Sequence, residues 1–176
     1  DVCSSDLLKY VAFFEFDRLE TTGKPPLNLV YNAWKWGPVA KDIYDKVRNN
    51  VNYQDKFIKT VFHENKGNRK DDEPAVRIDI LSKLKREEID LDFFSKAEVT
   101  EMERLIEIFA DKFVTAMMMS DASHEAIAAW KLAWKRKEDK IALAYTFEGR
   151  KGLSSLAIER FEGFKGEEQL LGVKPR

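Results

Sequence analysis

The segment from Asp6 to Glu20 constrains this chain more than any other. Leu7, Leu8, Tyr10, Val11, Phe13, Phe14, Phe16 and Leu19 leave only a narrow polar strip, Lys9, Asp17 and Glu20, on the helix they would form. A helix that is apolar on nearly every side is stable only when neighbours cover most of it. The rest of the chain must therefore be arranged around it. Ser4 or Ser5 is placed to cap its start. Thr22-Gly23-Lys24-Pro25-Pro26 ends it, because two prolines cannot continue a helix.

The next segment, Leu29 to Trp36, is too short for its periodicity to decide, and it runs into Gly37-Pro38. Proline suits the first position of a helix, where its missing N–H is not needed. Val39, Ala40, Ile43, Tyr44 and Val47 then recur at helical spacing, so a helix is expected from Pro38 to Asn49-Asn50. Phe57 to Phe62 and Val76 to Ile80 are rich in β-branched or aromatic residues and predict two strands, joined by a long polar loop over Glu64 to Pro74. Ser95-Lys96-Ala97-Glu98 is a capping box, flanked by Phe94 and Val99 as its hydrophobic staple. The helix it starts carries Val99, Met102, Leu105, Ile106, Phe109 and Phe113 on one face. A further helix is expected from Ser120 or Ser123 through His124, Trp130 and Trp134 to about Lys137, and another over Leu153 to Phe164. Gly163, Gly166 and Gly172 would then punctuate a fraying tail. The expected fold is α+β, predominantly helical, with one small antiparallel hairpin or sheet. At 176 residues and 44% hydrophobic the chain can bury a core as one compact domain over 1–176, centred on about 6–140 with 141–176 as an extension.

Charge and cysteine content narrow the function classes. Thirty basic residues balance 31 acidic ones, so no protein-wide field for nucleic acid or anionic membrane is expected. The single cysteine, Cys3, expected in a disordered end, suits a reducing compartment. No apolar run approaches the roughly 18 to 20 residues of a membrane helix and no signal peptide is read, so the expected location is the cytoplasm.

Catalysis finds little support. The two histidines each precede a glutamate, in His63-Glu64 and His124-Glu125, but a zinc site wants three protein ligands and no paired-histidine helix motif occurs. A loop position for His63 and a helix-start or packing position for His124 explain them more simply. Cys3 has no activating partner nearby in sequence. Gly149-Arg150-Lys151-Gly152 reads as a turn. No catalytic residue, metal or cofactor is expected, and the chain is read as a non-enzyme. Lys131, Lys135, Arg136, Lys137 and Lys140 cluster around Trp130 and Trp134, a mixture that can track a nucleic-acid backbone. Glu138 and Asp139 interrupt it, and a solvated basic face beside two core tryptophans is the simpler reading. Four tryptophans, with Trp34 and Trp36 beside Gly37-Pro38, point instead to protein binding, since aromatic anchors dominate interface energetics.

Three pieces occur in order. They are Thr22-Gly23-Lys24-Pro25 after the aromatic-rich helix, then Trp34-Lys35-Trp36-Gly37-Pro38-Val39 with Tyr44 downstream, then Ser123-His124-Glu125 followed by Trp130. Over about residues 6–48 and 93–140 the chain resembles the Panacea domain, the SocA-like antitoxin family. The resemblance implies a bacterial or phage antitoxin that neutralises a cognate toxin protein by direct binding. In the SocA-type arrangement it would instead deliver the toxin to an energy-dependent protease. It implies no cofactor and no catalytic residue; no membrane partner is expected, and a nucleic-acid partner is the less favoured reading. The matched residues Trp34, Trp36, Gly37, Pro38, Tyr44, His124 and Trp130 are expected to line or shape one binding region. In that region Gly37 and Pro38 would aim the helix carrying Tyr44, and His124 would hydrogen-bond across to it. Two alternatives stay open: a nucleic-acid-binding regulator using Lys131 to Lys140, and a hydrolase using His63 or His124.

Overall fold

The computed structural model of the protein describes residues 2–49, 58–63, 75–80, 88–111 and 113–172. Its axis is α1 (Ser4–Thr22), whose Leu8, Ala12, Phe13, Phe14, Phe16 and Leu19 are all buried. The near-absence of a polar face dictates this placement. α3 (Lys96–Phe109), α4 (Ala116–Ala126), α6 (Ser155–Leu171) and a strand, β3 (Gly37–Ala40), pack around it. Phe13 stacks on Phe109 with centroids 4.7 Å apart, and Phe14 meets Phe94 edge-on. α1 stops at Thr22, where Gly23 turns left-handed (φ +77°) ahead of the two prolines.

Two small antiparallel sheets flank the helices, so the fold is α+β and mainly helical. One orders its strands β1-β5-β4, with β1 (Val2–Cys3), β4 (Ile58–His63) and β5 (Ala75–Ile80). Cys3, expected in a disordered end, pairs with Arg77 in this sheet. The expected 57–62 and 76–80 strands are β4 and β5, paired from Ile58↔Ile80 to His63↔Ala75. The loop over Glu64 to Pro74 lies outside the described residues. His63 is therefore the last residue of a strand.

The second sheet, β3-β2-β6, departs from expectation. β2 (Tyr31–Trp34) and β3 form a hairpin closed at Trp34↔Gly37, and β6 (Lys140–Ile141) pairs with β2 on its other side. Pro38 thus sits inside an edge strand, not at the start of a helix, and α2 begins only at Lys41 (Lys41–Asn49). The reason is burial on both faces. All four residues of β3 are buried, so the strand shows none of the alternation that would separate it from a helix. The Ala33↔Pro38 pair lies one step from the closing pair, where ladder bonds are not made, and the Ala33 N–H donates to Asp139 O (2.8 Å) on the β6 side. Pro38 therefore removes no sheet hydrogen bond.

The capping box of α3 is fully formed: Ser95 Oγ accepts from the Glu98 N–H, and the Ser95 N–H donates to Glu98 Oε2 at 2.7 Å. Leu105 is buried and Met102 and Phe109 pack on the core, while Ile106 and Phe113, the latter beyond the helix end, are exposed. The single helix expected from Ser120 or Ser123 to Lys137 is two. α4 starts earlier, capped by Thr115 accepting from the Met118 N–H (3.2 Å), and buried Ile127 is extended between α4 and α5 (Ala128–Arg136). α6 runs on through Gly163 and Gly166 and ends at Gly172 (φ +62°), so only the last of the three tail glycines stops a helix.

Candidate functional site

The hairpin turn Lys35-Trp36 projects two backbone carbonyls toward α4 and α5, and side chains from three helices hold them. Trp34 O accepts from Trp130 Nε1 (3.0 Å), and Trp36 O accepts from Ser120 Oγ (2.9 Å) and from Lys9 Nζ of α1. Ala33 and Trp134 line one depression, and the Lys35 main chain lies beside His124. The tip is thus set in register against α4 and α5 by Ser120 and Trp130.

The α4–α5 break makes this register. In an uninterrupted helix His124 and Trp130, six residues apart, would point about 120° from each other. The extended Ile127 brings their rings face to face, 4.0 Å apart and 8° from parallel, and Trp134 continues the stack at 5.6 Å. Among the described residues His124 Nε2 is buried without a hydrogen-bond partner, and Tyr44 meets Trp34 edge-on at 5.0 Å.

Gly37 is required twice over. Its φ of +107° strains any side chain, and a Cβ would overlap Lys9 Nζ and Ser123 Oγ. Pro38 is wholly buried, as is Ser123, whose hydroxyl donates to Ser120 O (2.7 Å). The tryptophans divide: Trp130 is sealed, Trp34 half-buried, and Trp36 is 53% and Trp134 47% exposed. Lys35 Nζ lies 4.7 Å over the Trp36 ring, within cation–π range.

Lys9, read from the sequence as part of a polar strip, is the unexpected member. It is buried without an acidic partner among the described residues, and desolvation lowers its pKa from 10.5 to about 8. His124 is also lowered, first by its own desolvation and then by the Lys9 charge. Ser120, Ser123 and Lys35 were likewise missed. The one signal for Lys9 was its position between Leu8 and Tyr10 in a stretch that could only be buried.

Among the described residues no group of three or more His, Cys, Asp or Glu side chains could hold a metal, and no helix is long and apolar enough to cross a membrane. Gly149 to Gly152 is a turn, both glycines with positive φ.

Fold and site together define a small helical α+β protein whose singular feature is a rigidly held aromatic hairpin tip. The chain matches the family profile of the antitoxin SocA-like, Panacea domain over residues 7–131, and it belongs to that family. No curated protein and no solved structure matches it. Membership makes a toxin its partner in general terms.

Proposed function

We propose that this chain is a non-enzymatic antitoxin that binds its cognate toxin directly, in the cytoplasm, through the face around the β2–β3 tip. Trp34, Trp130, His124, Gly37 and Pro38 shape that face, Tyr44 buttresses Trp34, and Trp36 is offered to the partner. The observation that supports this best is Trp36 itself. Its ring is half exposed although its carbonyl is tied down by Lys9 and Ser120. A large aromatic held rigidly in solvent loses little entropy on binding and makes an efficient anchor. Neutralisation works by mass action, so the affinity must be tight relative to the cellular concentration of toxin.

The test is co-expression with the product of the neighbouring gene, scoring growth rescue and co-purification. Rescue with a stable complex is the expected result, and Trp36→Ala in a folded protein should weaken both. Rescue with disappearance of the toxin would replace sequestration by delivery to a protease. A Trp36→Ala protein that folds, rescues and binds like the parent would refute the assignment of this face.

A further inference from the structure

We propose that the toxin surface received by this face is acidic and presents an apolar or aromatic side chain between its carboxylates, an inference that rests on the antitoxin reading above. The two exposed tryptophans stand at the ends of one strip, because Ala33 borders Trp134 and Trp36 lies three residues further on. Three residues span at most about 10 Å of main chain, so the two tryptophans stand on neighbouring parts of the surface.

The charge around the strip is one-sided. Lys131, Trp134 and Lys135 fall at i, i+3 and i+4 on α5 and share a face. Lys137 lines the same depression as Ala33 and Trp134, and Lys35 covers the Trp36 ring. Among the described residues Lys35, Lys135 and Lys137 have no carboxylate partner, and Lys131 has only an exposed pairing with Glu125 at 3.1 Å. The nearby acids are engaged: Glu138 accepts from the Tyr145 hydroxyl and Asp139 from Asn32 Nδ2. Residues 128–140 carry five basic side chains against two acidic ones, whereas α3 carries two against four. The molecule is nearly neutral overall, yet this stretch is locally basic.

A protein surface suits this strip better than a nucleic acid. Base stacking wants several open ring faces in a row, and here Trp130 is sealed between His124 and Trp134.

The experiment compares three variants of the full chain against the co-purified toxin: Lys131→Glu with Lys135→Glu, Trp134→Ala, and a charge-matched control, Lys96→Glu with Lys151→Glu. Titration at two salt concentrations should give a loss of about tenfold or more in affinity for the first two, and little change for the control. The loss for the lysine variant should shrink as salt rises. A toxin that still binds and is still neutralised with parental affinity by the lysine variant would overturn the acidic-partner proposal while leaving the antitoxin reading intact. An equal loss in the control would reduce the effect to net charge and overturn it too. Failure of the parent chain to bind or neutralise the toxin at all would remove both. Salt-sensitive binding of the parent to duplex DNA from its own upstream region, abolished in the lysine variant, would assign the strip to nucleic acid instead.

Discussion

Two turns leave the N-terminal half of the fold, and the same helix holds each by opposite means. The first, residues 23–29, is held by Glu15, whose carboxylate accepts the Leu27 N–H at 2.8 Å and the Leu29 N–H at 3.0 Å. The second, residues 34–37, is held by Lys9 through the Trp36 carbonyl, helped by Ser120 and Trp130. Each charge is buried on α1 and answered by main chain alone. Desolvation raises Glu15 from 4.5 to about 7, with its backbone hydrogen bonds pulling the other way, just as it lowers Lys9 to about 8. The contrast lies in redundancy. Glu15 is the side chain that meets both of its amides, whereas Lys9 is one of two donors on its carbonyl. At the β2–β3 tip the fold has duplicated the support.

That contrast can be broken experimentally. Glu15→Ala should destabilise the protein most, by about 4 kcal/mol in urea unfolding, because two amides lose their acceptor and a cavity opens. Next comes pH. Between pH 4.5 and 7 the folded chain holds the Glu15 proton and the unfolded chain does not, so stability falls as pH rises through that window. Between pH 8 and 10.5 the unfolded chain holds the Lys9 proton more tightly, so stability rises with pH. Each slope amounts to about 3 kcal/mol, and Glu15→Gln and Lys9→Met should each flatten its own window and leave the other.

Gly23→Ala should cost about 3 kcal/mol and Gly37→Ala about 1–2. Both sit at positive φ, but the added methyl would meet the Ala157 backbone carbonyl at Gly23, and at Gly37 only the ends of Lys9 and Ser123. Thermal melts would rank them, and the reverse order would mean that the tip is the stiffer turn. The smallest effect on stability should be Lys9→Met, within about 1 kcal/mol, since an unpaired buried charge is exchanged for an apolar chain of similar length. Its toxin affinity should nevertheless fall, because the Trp36 carbonyl is then held by Ser120 alone.

What could be read in advance followed from periodicity and local chemistry. α1 declared itself through its missing polar face, β4 and β5 through β-branched residues, and the start of α3 through Ser95 and Glu98. The site residues were legible as types, because Trp34, Trp36, Gly37 and Pro38 are costly choices in a short stretch. Their geometry was not. Nothing in Gly37-Pro38-Val39-Ala40 signals a strand covered on both faces, and nothing local in Ala126-Ile127-Ala128 signals a break. That break is fixed by Ile127 burying itself and by His124 stacking on Trp130, contacts between residues whose proximity only the fold creates. Lys9 was hidden for the same reason: its partner is a carbonyl 27 positions away.

The contact of Gly23 with Ala157 bears on where this protein could be cut. The family match ends at Lys131, yet Ile141 completes the β2 sheet, and Ala157 and Phe161 of α6 are buried, Phe161 within the core cluster built around α1. A fragment trimmed to 7–131 would lose the packing of α6 against α1, and Trp134 altogether. A protease that removed residues beyond Phe147 would therefore do more than shorten a tail. It would loosen the helix from which Lys9 reaches the tip, and so slacken the tip at a distance.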